Sequence, residues 1–329
     1  FRTYLTPEHK QAADKIMEWM RTAGMLARMD PVGNVVGRYE GVNPGAPAVV
    51  LASHFDTVRD AGRYDGVLGI LTAIECIATL RGQRRRFPFA LEVYGFANEE
   101  GARFPISFIG SRATTGLLKD QDLVKTDSDG ITLAEALLNF GLSSTRIFEA
   151  ARQSDEMLAY FELHIEQGPR LQAESLSVGA VTGIQGQTFA TCTLEGRAGH
   201  AGTVPMDLRR DGLLGSAEAV LAIEKIASKE ADIVATVGRI TVEPGAANVI
   251  PGRVTFSIDL RSPSNSRRNL AWRKIRENLE AIQWIFNHTV IPIFKNMFQK
   301  IPGSGLLSRS GSKQLLDVVV AIHGSRYQF

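Results

Sequence analysis

Ala48-Val49-Val50-Leu51-Ala52-Ser53-His54-Phe55-Asp56-Thr57 decides the fold. Five apolar residues after Pro47 form a short continuous run, the pattern of a strand buried on both faces. The run ends in a serine, a histidine and an aspartate, so the chain leaves the core with ionisable groups at the strand's carboxyl end. Downstream, a helix is predicted from about Val67 to Leu80, closed by Gly82. Further buried strands are predicted over Phe89–Ala97 and Leu158–Ile165. Strand–helix alternation of this kind predicts an α/β fold, a doubly wound domain with a mainly parallel sheet. Upstream, Thr6-Pro7-Glu8 reads as an N-cap, a proline in the first turn and an acid near the positive end of a helix dipole.

The pattern changes after about Val178. Strands are predicted over Thr188–Leu194, Ile233–Val242 and Arg253–Leu260, with helices from about Leu208 to Ser228 and Asn265 to Ile285. Two helices on a four-stranded antiparallel sheet would make a compact α+β unit. From about Pro292 the signals weaken.

The 329 residues are 44% hydrophobic and 22% charged, which excludes a disordered or collagen-like chain. Two cysteines, Cys76 and Cys192, exclude a disulfide scaffold. Cys76 falls in an apolar helix and Cys192 in a strand, which argues against a cysteine nucleophile. No apolar run is long enough to span a bilayer and no signal peptide is visible, so no membrane is involved and a cytoplasmic location is expected. Residues 264–329 carry ten Lys and Arg against three acids. A basic tail alone does not make a nucleic-acid binder, and Arg84-Arg85-Arg86 follows a helix end whose dipole it complements, so no nucleic-acid partner is expected. No glycine-rich strand–helix turn supports a dinucleotide.

In an open α/β sheet, ligands bind beyond the carboxyl ends of the strands. Three predicted strands deliver ionisable residues there: His54 and Asp56, then Glu99 and Glu100, then His164. Asp65 opens the helix between the first two strands. Two histidines with several carboxylates at one edge have the composition of a divalent-metal site. His54 and Asp56 suit a ligand and the group that orients it. Asp65 has two oxygens with which to bridge two ions, and of the neighbours Glu99 and Glu100 one can ligate while the other serves as general base.

Ser53-His54-Phe55-Asp56-Thr57-Val58, Arg63-Tyr64-Asp65-Gly66, Ala97 to Phe104 and Glu162-Leu163-His164-Ile165-Glu166-Gln167-Gly168 resemble the M20 metallopeptidase superfamily. Gly199 to Met206 and Asn248-Val249-Ile250-Pro251-Gly252 continue the resemblance, which is nearest to the branch hydrolysing ureido compounds. It implies a binuclear site with two zinc or manganese ions, His54 and Glu100 on opposite metals, Asp65 bridging, His164 a further ligand and Glu99 the general base. It also implies a catalytic domain of residues 1–177 and 293–329, and an inserted lid and dimerisation domain of residues 178–292, hence a homodimer. Gln187, His200, Asn248 and Arg261 are implied to hold a substrate carrying a ureido group and a carboxylate, with His200 also stabilising the oxyanion. Arg261 has the planar fork suited to a carboxylate. Allantoate is the expected substrate, on the strength of Gly186-Gln187 and the sequences around Asp65 and Glu99; N-carbamoyl-L-amino acids or β-ureidopropionate are the alternative.

The resemblance breaks near the C-terminus. Relatives carry one more ligand histidine in a Ser-Gly-Ala-Gly-His-Asp-Ala-like segment. Neither His288 nor His323 has that context, Phe294–Lys313 matches poorly, and Leu315–Phe329 resembles the helix and strand that precede the segment. The chain is therefore expected to be truncated, to bind its second ion weakly and to show little activity. The alternative of another class is a catalytically inactive dimerising remnant.

Overall fold

The computed structural model describes residues 1–286, 289–293 and 316–322. In chain order the elements are α1 (Pro7–Thr22), β1 (Leu26–Met29), β2 (Val35–Tyr39), β3 (Ala48–His54), α2 (Val67–Gly82), β4 (Ala90–Phe96), α3 (Ile109–Thr114), α4 (Asp120–Leu123), α5 (Leu133–Phe140), β5 (Met157–Ile165), α6 (Arg170–Ala173) and β6 (Val178–Ala180). They continue as β7 (Gly186–Glu195), β8 (Gly199–His200), α7 (Gly212–Lys229), β9 (Val234–Thr236), β10 (Ile240–Glu243), β11 (Val249–Ile250), β12 (Arg253–Ser262), α8 (Asn265–Phe286), β13 (Thr289–Ile293) and β14 (Leu316–Ile322). The chain divides into two compact units: one runs from Phe1 to Val181 and includes β14, the other begins at Thr182. The expectations for His288, for Phe294–Lys313 and for His323 lie outside the described residues; where a helix and strand were expected beyond Leu315, the described part is the strand β14.

The first unit is built on a mixed sheet in the order β1-β2-β4-β3-β5-β14-β6. Its centre, β4-β3-β5-β14, is parallel, and antiparallel strands close both edges. Numbered along the chain, the central strands lie in the order 2-1-3-4, so the winding reverses between β3 and β5. That reversal opens a crevice at the carboxyl ends of those two strands.

The apolar alternation of the strands explains the packing. Leu91 and Val93 join Ile70, Ile74 and Ile77 of α2, Ile16 and Met20 of α1, Ile109 of α3 and Leu137 of α5 in one cluster. The opposite face holds a smaller cluster of Val36, Val50, Ala52, Tyr94 and Phe96, drawn from strands alone. The second helical layer of a doubly wound sheet is therefore not found among the described residues. Glu92, on the smaller face, is only 3% exposed and sits between Arg38 Nη1 at 2.8 Å and Arg152 Nη1 at 2.7 Å.

Two glycines let α2 approach the sheet. A Cβ on Gly69 would stand 2.1 Å from the Leu163 carbonyl oxygen, so only glycine allows this contact with β5. Gly66 has φ +70°, and a Cβ there would meet His54 at 2.5 Å. The Asp65-Gly66 turn is thus pressed against the end of β3.

In the second unit β12 pairs with β7 along its whole length, β13 lies beyond β7, and α7 and α8 pack through Ala219, Ile223, Ala271, Ile275 and Leu279 onto Cys192, Leu194, Phe256, Ile258 and Leu260. The antiparallel sheet has five strands rather than the four expected. The single strand predicted over Ile233–Val242 is interrupted: β9 and β10 both pair with β12, in registers one residue apart. The offset falls at residues 237–239, around Gly238, and is the signature of a bulge. Asp211 caps α7 by accepting the Leu213 N–H at 2.9 Å, so the helix starts four residues later than predicted.

Candidate metal centre

His54 is the last residue of β3 and His164 lies near the end of β5. Pairing of the two strands runs to Ala52 opposite Glu162, and two residues further on the imidazoles stand side by side, centroids 5.4 Å apart. His164 Nδ1 is 2.8 Å from the Ile165 carbonyl and His54 Nδ1 is 3.1 Å from the Asp56 carbonyl. With Nδ1 as the protonated nitrogen in each ring, both Nε2 lone pairs are left free. These Nε2 atoms converge to 3.2 Å. Asp65 Oδ1 completes the group, 3.1 Å from His164 Nε2 and 3.6 Å from His54 Nε2.

Two imidazole nitrogens and a carboxylate oxygen within 4.8 Å of one another suit zinc or manganese. The electrostatics agree. Burial opposes charge on His54, yet the Asp56 and Asp65 carboxylates outweigh it and raise its pKa to about 11. Burial likewise opposes charge on Asp65, but bonds from His164 and His54 hold its carboxyl well below the usual range.

Asp56, expected to orient His54, does more than that. Its carboxylate is 3.6 Å from His54 Nδ1, further than its own backbone carbonyl, and is spent on the next strand. Oδ1 accepts the Glu99 N–H at 2.9 Å and Oδ2 the Glu100 N–H at 3.1 Å. Asn98 adopts φ 56°, a conformation asparagine tolerates, and turns the chain sharply out of β4. The ligand atoms of His54, Glu99 and Glu100 form a second group within 4.8 Å. Burial pushes the Glu99 carboxyl up to about 7; nearby His54 opposes this, and Glu100, Asp56 and Glu162 add to it. Burial also raises Glu100.

Two residues at this edge had no assigned role in the sequence. Gln167 Nε2 donates to both Asp65 oxygens at 3.0 Å, from a backbone at φ 55°. Glu162 accepts from Tyr160 Oη at 2.7 Å and Ser53 Oγ at 3.2 Å. Glu162 was within reach of pattern reading, since period-two alternation puts it on the face of His164. Gln167 was not, because its contact depends on a left-handed turn after the strand.

The other four candidates belong to the second unit, where they form two pairs. Gln187 and Arg261 are cross-strand partners on β7 and β12. With its amide oxygen turned toward the guanidinium, Gln187 accepts from Arg261 Nη1 at 2.9 Å. Asp259 takes Nε at 3.0 Å and Nη2 at 2.7 Å, so this side of the expected fork is already engaged. His200 and Asn248 meet where β8 pairs with β11: the Ala201 N–H donates to the Asn248 carbonyl at 2.9 Å. His200 Nδ1 accepts the Gly202 N–H at 3.0 Å, which leaves its Nε2–H outward. His200, Asn248 and Gln187 are all exposed.

Comparison with known proteins shows the family. The sequence model of peptidase family M20/M25/M40 matches residues 50–294. The chain belongs to this family. It is an M20 hydrolase, and its similarity extends to named amidohydrolases. It is 40% identical over 285 residues to the N-carbamoyl-L-amino-acid amidohydrolase of Pseudomonas sp. (strain NS671), covering 85% of this chain and 69% of that one. It is 38% identical over 284 residues to the allantoate deiminase of Arabidopsis thaliana, covering 79% and 54%. The crystal structure of a hydantoinase/carbamoylase family amidase from Burkholderia multivorans superposes with a TM-score of 0.83 at 31% identity, over 98% of this chain and 84% of that one. No described helix is long and apolar enough to cross a membrane.

Proposed function

We propose that the protein is a metal-dependent amidohydrolase that cleaves a ureido C–N bond in a small carboxylate substrate, with release of ammonia and carbon dioxide. The observation that carries this is the convergence of His54 Nε2 and His164 Nε2, 3.2 Å apart beside Asp65. His54, Asp65 and His164 would hold one divalent ion, and Asp65 with Glu100 would hold a second. Bound there, such ions supply Lewis-acid polarisation of a carbonyl and lower the pKa of a water. The unit of Phe1–Val181 with β14 is assigned to catalysis and the unit beginning at Thr182 to a lid through which two copies form a homodimer; the boundary expected at residue 178 moves because β6 pairs with β14. The exposed Leu213, Leu214 and Leu221 on α7 support that dimer, which size-exclusion chromatography tests.

Glu99 is the general base. Its carboxyl, on the turn that Asp56 holds, takes a proton from the attacking water and returns it to the departing nitrogen. His200, with Nε2–H outward, donates to the oxygen on which charge develops. Arg261 meets the substrate carboxylate with Nη hydrogens not taken by Asp259, Gln187 bonds alongside it, and Asn248 orients the ureido group.

Both groups of named relatives act on ureido carboxylates, and both alternatives of the substrate remain within the proposal. Ammonia release is measured on allantoate, N-carbamoyl-L-amino acids and β-ureidopropionate with zinc or manganese. Release from one of them that disappears in Glu99→Gln supports the reading. No release from any at full metal loading contradicts it.

A further inference from the structure

The turn carrying Glu99 and Glu100 is held on one side by Asp56. Its other side is held from a loop that none of the proposed catalytic steps uses. Pairing of β2 with β4 ends at Val35 opposite Gly95, which leaves the Ala97 N–H beyond the ladder. Asn34 Oδ1 accepts that N–H at 2.9 Å. Asn34 Nδ2 donates to Asp30 Oδ2 at 2.7 Å and to the Gly110 carbonyl at 3.2 Å. Gly110 in turn donates its N–H to the Ala97 carbonyl at 3.0 Å, and a Cβ on Gly110 would lie 2.1 Å from Asn34 Oδ1. One amide therefore joins the 30–34 turn, the end of β4 and the start of α3.

Asn34 is fully buried and Asp30 is 3% exposed. Asp30 Oδ1 accepts the N–H groups of Val32 and Asn34 at 3.0 and 2.9 Å, which fixes the carboxylate before it touches the Asn34 side chain. Burying a carboxylate is costly, and satisfying a single backbone N–H does not require it. What the pair adds is direction: Ala97 is followed at once by Asn98, at φ 56°, and then by Glu99.

We propose that Asn34, oriented by Asp30, is a positioning residue for Glu99, setting the direction in which the chain leaves β4. The inference rests on the reading of Glu99 as general base. Asn34→Ala removes the brace. Gly110→Ala pushes a methyl against the same bond without altering Asn34. Exchanging the pair, Asp30→Asn with Asn34→Asp, restores the acceptor for the Ala97 N–H and the bond between positions 30 and 34, while the Gly110 carbonyl loses its donor.

In the metal-free protein, amide exchange at Ala97, Glu99 and Glu100 should quicken about tenfold or more in either single variant, while α1 and β3 keep their protection. In the loaded enzyme kcat should fall about a hundredfold with KM within about threefold, and the exchanged pair should recover about tenfold of the loss. Unchanged exchange at residues 97–100, or protection lost throughout the unit, overturns the inference. So does turnover that is lost in Glu99→Gln yet kept in Asn34→Ala. Full turnover in Glu99→Gln instead overturns the assignment of the base.

Discussion

Asp56 accepts the backbone N–H of Glu99 at 2.9 Å, so the segment that follows the first histidine also fixes the turn carrying the proposed general base. The two sides of the site, delivered by β3 and β4, are locked together by one buried carboxylate, 4% exposed.

Asp56→Ala leaves two N–H groups without an acceptor and frees the Glu99–Glu100 turn. Its kcat is expected to fall about a hundredfold, with a smaller loss in Asp56→Asn, which keeps one acceptor oxygen. Steady-state ammonia release at saturating metal measures both, and equal kcat in Asp56→Ala and the parent contradicts the role.

Arg261→Lys keeps the charge and loses the fork held by Asp259 and Gln187. KM for the carboxylate substrate is expected to rise about tenfold or more, with kcat changed less. An unchanged KM removes Arg261 from substrate binding.

His9 supplies a pH dependence remote from the site. Its ring is buried against Phe55 and Phe140, and Nδ1 accepts the Leu5 N–H at 2.8 Å. Burial lowers its pKa to about 4 from 6.5. Between those values the unfolded chain binds a proton that the fold does not, so stability is complete above pH 6.5 and is lost as pH falls toward 4. The loss should amount to about 3 kcal/mol. Urea unfolding from pH 7 to 4 should show it as the difference between the parent and His9→Gln, since the raised carboxyls of Asp30 and Glu99 act oppositely in the same window, and parallel curves would contradict it.

Glu92→Ala removes a buried acid shared by Arg38 and Arg152, which then keep only Glu40 and Glu156 respectively as ionic partners. Urea unfolding at pH 7 should show a loss of about 2–3 kcal/mol. A change below about 1 kcal/mol would mean the arginines find water instead.

Much of the first unit was legible in the sequence because its signals are local. Ala48–Ala52 is apolar without a break, Thr6-Pro7-Glu8 caps α1, and the accepted N–H of His9 confirms that cap at 3.3 Å. The residues of the metal group could be gathered because strand ends lead to one edge of a parallel sheet. The bulge at residues 237–239 was not legible: alternation gives a strand's faces, whereas a one-residue slip is set by hydrogen bonding to β12. Gln167 on Asp65 and Asp259 on Arg261 escaped for a related reason, since side-chain bonds of this kind depend on backbone turns and rotamers rather than on spacing.

Zinc titration of the metal-free protein, followed by calorimetry, measures whether His54, Asp65 and His164 hold an ion. Stoichiometric binding is expected, weakening about a hundredfold or more in His164→Ala, because one of three converging donors is lost. Binding of equal strength in His164→Ala and the parent would contradict a metal centre at His54, Asp65 and His164.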